Sequence, residues 1–235
     1  MANEWFRFRE FLIRQERCAM KVGTDGVILG AWADPGKGGK ALDVGTGTGL
    51  LAMMLCQRCE NLLVDAVEID CDAADQAKEN IAASKFAGRI RLIHKDFRDF
   101  EREKPEYDLV ISNPPYFSEK VFSPVQKRNI ARNASALSPE VLISNSCRLL
   151  KGNGSLALIL PASGEGNFRK IAEEYQLFPN RRLSIIPSPG KEPGRICLQF
   201  SRNRELSEDR EMIIEAGGRH RYSEEYVRLT REFYL

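Results

Sequence analysis

The alternation of short apolar segments with helical patterns constrains the fold of this chain more than any other feature. Apolar segments typical of buried strands occupy 41–44, 62–68, 89–94, 107–111 and 155–160. Helical patterns occupy 26–32, 50–59, 72–86, 138–150 and 168–175, with candidate N-terminal residues at Thr24, Asp72 and Ser138. This alternation predicts an α/β fold with a parallel sheet that carries helices on both faces.

The C-terminal part of the chain follows a different pattern. Strand patterns at 183–186 and 196–200 are joined by a proline-rich turn without an intervening helix. Such a pair predicts an antiparallel hairpin, which we expect to close one edge of the sheet. Another short strand at 211–215 and a helix at 223–233, with Ser223 as its N-cap, end the chain.

A glycine-rich turn follows the strand at 41–44 and precedes a helix. Its sequence is Gly45-Thr46-Gly47-Thr48-Gly49, directly after Asp43 and Val44. Glycines let the backbone approach a ligand closely, and the helix start offers free N–H groups. The pattern is shorter than the G-x-G-x-x-G of dinucleotide-binding proteins. Alone it is a weak signal, and the acidic residues around it strengthen the prediction of a nucleoside site.

Acidic residues stand at the ends of the next two strands. Glu68 ends the strand at 62–68, about twenty residues after the glycines, where a carboxylate can bind both hydroxyls of a ribose. Asp96 and Phe97 follow the strand at 89–94. We expect Asp96 to accept from the amino group of a purine and Phe97 to flank its ring. A surface acid at a strand end is the structural alternative.

A stiff loop follows the strand at 107–111. It begins after Ser112 with Asn113-Pro114-Pro115-Tyr116. Each proline fixes its own φ and lacks an N–H group for the sheet. The loop therefore presents an amide, a backbone carbonyl and an aromatic ring at the carboxyl end of a strand, where open α/β sheets bind ligands. A proline-rich turn with a core aromatic residue is the alternative interpretation.

Two segments are basic. Residues 6–13 alternate apolar and basic side chains, which predicts a short strand or ribbon. Residues 119–136 have no periodicity, and a long irregular segment of this kind is more often functional than structural. We expect substrate contacts from these two regions, with solvated surface charge as the alternative; the candidate residues are Arg7, Arg9, Arg14, Arg17, Lys21, Lys120, Lys127, Arg128 and Arg132.

Composition narrows the class of protein. The chain has 235 residues, enough for one large α/β domain, and a net charge of +2 that is compatible with nucleic acid without requiring it. It has no apolar run long enough to span a membrane and no signal-peptide pattern at its start, so we expect a cytoplasmic protein without a membrane partner.

Cys56 and Cys59 form a C-x-x-C pair, but the sequence lacks the further ligands that a zinc site needs. We therefore expect that the protein binds no metal and that its cysteines are reduced.

Together, these motifs resemble those of Rossmann-like class I methyltransferases. The Asn-Pro-Pro-Tyr sequence is similar to the signature used on the N6 atom of adenine and on the amide of glutamine. Segments outside these motifs resemble the bacterial tRNA adenine-N6 methyltransferase family in particular. That family modifies a valine tRNA at the adenine just 3′ of the anticodon. The segments that carry this resemblance are 8–11, 17–26, 29–32, 222–226 and 233–235. Residues 119–136 depart most from the family pattern.

The resemblance implies a fold, a cofactor and a division of roles. The fold would be a mostly parallel seven-stranded sheet with a C-terminal antiparallel hairpin, in a single domain over 1–235 with an N-terminal extension at 1–23 and a substrate loop at 119–136. S-adenosylmethionine would be the cofactor, tRNA the substrate, and the protein a monomer. The implied cofactor residues are Thr24, Asp43, Gly45, Thr46, Gly47, Glu68, Asp96, Phe97 and Asn113, and the implied catalytic residues are Asn113, Pro114, Pro115 and Tyr116.

Four other functions are compatible with the same motifs. A protein-glutamine methyltransferase shares Asn-Pro-Pro-Tyr, although its family usually has an N-terminal helical domain. An adenine methyltransferase acting on DNA or on another RNA such as rRNA is the second, and a DNA enzyme would normally carry a target-recognition domain. The third is a non-catalytic nucleic-acid-binding protein with a vestigial nucleoside pocket. A nicotinamide dehydrogenase is the fourth, which the shortened glycine pattern disfavours.

Overall fold

A computed structural model describes residues 3–115, 137–204 and 206–235. Ten strands are described: β1 (Trp5–Arg7), β2 (Leu12–Arg14), β3 (Gly39–Val44), β4 (Leu62–Glu68), β5 (Ile90–His94), β6 (Tyr107–Ser112), β7 (Leu150–Pro161), β8 (Phe178–Ile186), β9 (Arg195–Ser201) and β10 (Glu208–Ile213). The α-helices in this part of the chain are α1 (Thr24–Trp32), α2 (Leu50–Arg58), α3 (Cys71–Ala82), α4 (Pro139–Leu149), α5 (Glu165–Glu174) and α6 (Glu224–Thr230).

The main sheet has the spatial order β10-β8-β9-β7-β6-β3-β4-β5. All neighbouring strands run parallel except at β9, which is antiparallel to both β7 and β8. Two apolar clusters cover its faces. One includes residues of α1 and α2, and the other includes residues of α4 and α5. The predicted α/β class, the mostly parallel sheet and the antiparallel hairpin are therefore confirmed.

The prediction of seven strands is wrong, because the main sheet already has eight strands within the described ranges. β10 pairs with β8 in parallel, so the β8–β9 hairpin lies inside the sheet and does not close its edge. The sequence does not indicate that β10 forms the edge of the main sheet, because four of its six residues are polar and exposed. Two strands also begin earlier than predicted. β7 begins at Leu150 instead of 155, and β8 begins at Phe178 instead of 183.

The structure confirms the predicted N-caps of two helices and the predicted start of α1 at Thr24, and it corrects the N-cap of one helix. The hydroxyl of Ser138 accepts from the Val141 N–H, and that of Ser223 from the Tyr226 N–H, as expected for N-caps. For α3 the N-cap is Asp70, whose carboxylate accepts from the Ala73 N–H, so the prediction of Asp72 is wrong. The N-cap of α1 is Gly23, and Thr24 is the first residue within that helix.

The N-terminal extension forms a two-stranded antiparallel ribbon of β1 and β2, which confirms the predicted ribbon. Its aromatic residues pack against the C-terminus of the chain. The ring of Phe8 stacks on Phe11 at 4.7 Å between centroids and lies 6.1 Å from Tyr234. The backbone N–H of Arg9 donates to the Phe233 carbonyl at 2.9 Å. Both ends of the chain therefore stabilise one corner of the domain.

The sheet is also held by a buried carboxylate on β4. Asp65 is 3% exposed, and its oxygens accept from Arg91 at 2.9 Å and from the Tyr107 hydroxyl at 2.6 Å. Lys40 and Arg102 lie 3.3 and 3.2 Å away. Burial raises the pKa of Asp65, but the hydrogen bonds from Arg91 and Tyr107 and the charge of Lys40 lower it by more, so its pKa lies below that of an ordinary aspartate.

No helix in the described ranges is both long and apolar enough to cross a membrane.

We predict that Asp65→Ala lowers the free energy of unfolding by about 2–4 kcal/mol at pH 7, because it leaves the Tyr107 hydroxyl and Arg91 without their carboxylate, whereas Lys40 and Arg102 keep only Glu106. The measurement is urea denaturation. Since the folded-state pKa is depressed, the difference from wild type shrinks as pH falls below about 4. Glu173→Ala, which breaks the exposed pair with Arg204, is the control and is expected to change stability by less than about 1 kcal/mol. Equal effects of the two substitutions would contradict the role of Asp65.

Candidate functional site

The glycine-rich turn lies between β3 and α2, and its backbone conformation requires glycine. Gly45 and Gly47 have φ values of +69° and +56°, in the left-handed region. A Cβ atom added at either position would meet no atom within 4 Å. The turn therefore faces open space that side chains would partly fill, and it offers backbone to a ligand.

Asp43 supports this turn from below. The carboxylate is completely buried, and its Oδ2 atom accepts from the Thr46 hydroxyl at 2.5 Å and from the Ala52 N–H at 3.1 Å. No donor in the described residues reaches the other oxygen, Oδ1. Burial raises the pKa of Asp43 to about 7, despite the hydrogen bonds from Thr46 and Ala52 that lower it. The site thus contains a buried acceptor without a donor.

Glu68 closes the other side of the turn. It is 8% exposed at the end of β4, and its Oε2 accepts from the Gly47 N–H at 2.8 Å. Its Oε1 accepts from the N–H groups of Ile69 and Asp70 at 2.9 and 3.0 Å. A carboxylate has about four acceptor positions, so one remains on Oε2. Binding of both ribose hydroxyls would therefore require the contact with Gly47 to rearrange.

Asp96 and Phe97 lie at the end of β5, but their contacts differ from those expected of a purine site. Asp96 accepts from the backbone N–H of Arg98 at 2.8 Å and from its guanidinium Nε at 2.8 Å. These hydrogen bonds and the charge of Arg98 lower the pKa of Asp96. Phe97 is 5% exposed, and its ring packs in the core, 6.3 Å from that of Phe100. Phe97 therefore has little surface to offer a ligand.

Asn113 reaches the site because β6 lies directly beside β3. The register pairs Asp43 with Ile111, and the Ser112 hydroxyl donates to the Val44 carbonyl at 2.8 Å. This buried bond fixes the end of β6 to the start of the glycine turn. Pro114 is buried, whereas Asn113 is half-buried and Pro115 exposed.

The first turn of α1 packs against Asn113. A Cβ atom on Gly26 would stand 3.7 Å from the Asn113 amide nitrogen and 3.1 Å from Leu50 of α2, so glycine permits this approach. The neighbouring Asp25 accepts from Arg195 Nε at 2.8 Å, which ties α1 to the start of β9. Thr24 is exposed at the same helix end. The structure thus brings Thr24 to the same corner as Asn113.

Asn80 connects the N-terminal ribbon to the glycine turn. This residue of α3 is 2% exposed, and its amide donates to the carbonyls of Arg14 at 2.8 Å and Thr48 at 2.9 Å. Its oxygen accepts from the Arg14 N–H at 2.9 Å. The sequence carries a signal for this role, because a polar residue on the apolar face of a helix needs buried partners.

The basic residues of the extension are exposed, and several already have partners. Arg17 forms an ion pair with Glu79 of α3, and Arg9 donates to the Tyr234 carbonyl at 2.5 Å. Lys21 donates to the Asn3 carbonyl at 3.3 Å. Arg7 and Arg14 are also exposed. The remaining predicted residues lie outside the described ranges: Tyr116, Lys120, Lys127, Arg128 and Arg132.

Comparison with known proteins relates this arrangement to a family. Residues 26–163 match the family described as Methyltransferase small domain. A protein of Bacteroides fragilis named tRNA1(Val) (adenine(37)-N6)-methyltransferase is 42% identical over 100% of this chain and 99% of its own length. A Bacteroides thetaiotaomicron protein of the same name is 43% identical, again over 100% of this chain and 99% of its own length.

The fold has relatives among solved structures. A crystal structure from Agrobacterium tumefaciens, described as a predicted O-methyltransferase, superposes with a TM-score of 0.69 over 89% of this chain and 96% of that one, at 19% identity. At that identity the likeness concerns the fold alone, and it agrees with a class I methyltransferase architecture. The full-length matches carry the family assignment: the chain belongs to the Methyltransferase small domain family and, within it, to the family of tRNA1(Val) (adenine(37)-N6)-methyltransferases.

Proposed function

We propose that the protein transfers the methyl group of S-adenosylmethionine to the N6 atom of an adenine in tRNA, at the adenine just 3′ of the anticodon. One observation carries this proposal beyond family membership. The glycine turn and the Asn113-Pro114 loop stand at the ends of adjacent strands, joined by the bond from Ser112 to Val44. A cofactor over the turn and an amino group on the loop would therefore be neighbours.

The residues at the turn fit a cofactor with a ribose and an amino-acid end. The open face of Gly45 and Gly47 allows close backbone approach, and Glu68 keeps one free acceptor position for a ribose hydroxyl. Among the described residues, no donor reaches Oδ1 of Asp43, as expected if a donor of the ligand completes its hydrogen bonds. The bound cofactor would supply an electrophilic methyl group. Asp96 would contribute only if its contact with Arg98 is shared or exchanged.

On the acceptor side, the protein's task is to orient a poor nucleophile. The lone pair of an adenine N6 atom is delocalised into the ring. If the Asn113 side-chain oxygen and the Pro114 carbonyl each accept one N–H, the nitrogen is held in line with the methyl group. As its geometry changes from planar towards tetrahedral, its lone pair loses conjugation with the ring and points at the methyl carbon. Positioning is then the main contribution, and both acceptors stabilise the positive charge that develops on nitrogen.

No general base is needed in this scheme, because the proton can leave after the methyl group has been transferred. The target base must first leave its stack, which costs least in a single-stranded loop such as an anticodon loop. Stacking of the base on Tyr116 belongs to this proposal as a prediction from the sequence.

The competing functions are weakened by the comparisons. Matches of 42–43% identity run over the full chain to proteins named as tRNA methyltransferases, which favours tRNA adenine over glutamine or DNA as acceptor. A cytoplasmic location and a monomeric state are part of our proposal. The six unpaired cysteines support the former, since reducing compartments keep thiols free.

We predict that Asn113→Ala lowers the rate of methyl transfer to tRNA by at least about 10²-fold, because an acceptor that orients and stabilises the reacting group is lost. The measurement is incorporation of labelled methyl groups into unmodified tRNA, with S-adenosylmethionine affinity determined by calorimetry. That affinity is expected to fall by much less than the rate, because the glycine turn and Glu68 still hold the cofactor. Asn153→Ala, an exposed site on β7, is the matched control. Full activity of Asn113→Ala would contradict the assigned role.

We predict a pH dependence of cofactor affinity that originates at Asp43. Since burial raises its pKa to about 7, the carboxylate is mostly protonated at pH 5.5 and half ionised at pH 7. If the ligand's donor needs the ionised form, the Kd for S-adenosylmethionine falls about 15-fold as the pH rises from 5.5 to 7. Calorimetric titration at both pH values tests this, with Asp43→Asn expected to bind more weakly and without the pH dependence. Equal wild-type affinity at both pH values would contradict a contact with Asp43.

A further inference from the structure

A basic turn follows β10, and the site described above does not use it. It spans 216–222 and contains Arg219, His220, Arg221 and Tyr222 after two glycines. We call it the Arg-His-Arg turn. All of its residues are exposed.

The direction of β10 places this turn at the edge of the sheet where the candidate site lies. β10 is parallel to β8, and β8 and β7 are both antiparallel to β9, so β10 runs in the same direction as β7, β6 and β3. The carboxyl end of β10 therefore points to the same edge as Asn113. Three strands separate β10 from β6. At about 4.8 Å between strands, the turn stands roughly 19 Å from the Asn113 loop along the sheet.

The turn has a defined conformation in the described structure. The Ala216 N–H donates to the Arg221 carbonyl at 2.9 Å, and Arg221 N–H donates to Gly218 at 3.0 Å. His220 has a φ of +65°, a conformation that costs energy in a residue with a side chain. Its backbone N–H donates to the Glu215 carboxylate at 2.8 Å, which compensates that cost. Unfavourable backbone conformations of this kind cluster at binding sites.

The charges on the turn are available to a partner. Within residues 3–115, 137–204 and 206–235, no carboxylate forms an ion pair with Arg219 or Arg221. Arginines on the strands nearby are paired instead: Arg181 and Arg210 with Glu208, and Arg195 with Asp25. A guanidinium group without a carboxylate is suited to a phosphate, which it can bind through two parallel hydrogen bonds.

Tyr222 adds an aromatic surface to these charges. Its side chain is 47% exposed, although the ring packs 4.9 Å from that of the buried Tyr226. The ring is therefore held in place while part of it faces solvent. Exposed aromatic rings beside arginines are typical of surfaces that bind RNA, because unpaired bases stack on them.

We propose that the Arg-His-Arg turn is a second tRNA contact, which binds the phosphate backbone through Arg219 and Arg221 and an unpaired base through Tyr222. This inference rests on the proposed function, since it assumes that the adenine lies at Asn113. A single folded RNA can span 19 Å, whereas a free nucleotide cannot. The turn would therefore select a structured RNA and hold it while the loop presents its adenine.

The experiment measures binding of an unmodified valine tRNA transcript to the full chain by filter binding at several salt concentrations. In the Arg219→Ala/Arg221→Ala variant, we expect the Kd to rise at least about tenfold. The slope of log Kd against log salt should fall by about 1.4–1.8, the value for two phosphate contacts. An unchanged S-adenosylmethionine affinity shows that the variant is folded.

The matched control is Arg202→Ala/Arg204→Ala, which removes the same charge with the same spacing just after β9, at the opposite edge of the sheet. Its Kd and salt slope are expected to stay near wild type. Equal losses in both double variants would show a general charge effect and overturn the inference. An unchanged tRNA Kd in the Arg219→Ala/Arg221→Ala variant, as expected if the turn binds a protein, would also overturn it.

Tyr222 provides a test that does not depend on charge. Tyr222→Phe should keep the tRNA affinity, because a phenyl ring still stacks, whereas Tyr222→Leu should raise the Kd about 5- to 150-fold. Equal affinities of the two variants would contradict stacking.

Methylation of tRNA by the wild-type protein separates the two proposals. If the wild type methylates tRNA while the turn variants bind tRNA normally, only this inference fails. If the wild type methylates no tRNA, the proposed function fails.

Discussion

The pairing of β3 with β6 at the centre of the sheet is the constraint on which the candidate site depends. These strands carry different halves of the site, separated by more than sixty residues of chain, and the Ser112 hydroxyl joins their ends through the Val44 carbonyl. Parallel strands place their carboxyl ends at one edge, so the chain needs no dedicated cleft to bring the turn and the loop together. Because Ser112 is buried, this bond is shielded from competing water.

Hydrogen bonds from buried polar side chains hold the backbone around the site in one conformation. Asp43 and Glu68 fix the glycine turn from below and from the side, and Asn80 ties the same turn to the N-terminal ribbon. Each of these side chains is at most 8% exposed, where an unsatisfied hydrogen bond is costly. The ribbon is in turn packed on Tyr234 near the C-terminus. Both ends of the chain therefore contribute to the shape of the proposed cofactor site.

Much of this arrangement could be predicted from the sequence, and the failures have physical reasons. Strand ends, the glycine turn and the positions of Glu68 and Asn113 follow from local patterns, because chain direction in a parallel sheet leaves little choice. The hairpin is predicted at the sheet edge, rather than inside the sheet, because β10 is a polar edge strand that lacks the apolar run of a buried one. The contact between Asp96 and Arg98, the approach of Gly26 to Asn113 and the position of the Arg-His-Arg turn depend on tertiary packing, which no local pattern encodes.

The central claim is that this edge of the sheet brings a cofactor methyl group to the N6 atom of a tRNA adenine. Mass-spectrometric mapping of unmodified valine tRNA, incubated with the purified protein and S-adenosylmethionine, tests it most directly. We expect one added methyl group, located on N6 of the adenine immediately 3′ of the anticodon. A methyl group on another atom or nucleotide, or none on any tRNA together with methylation of a protein glutamine, would contradict it.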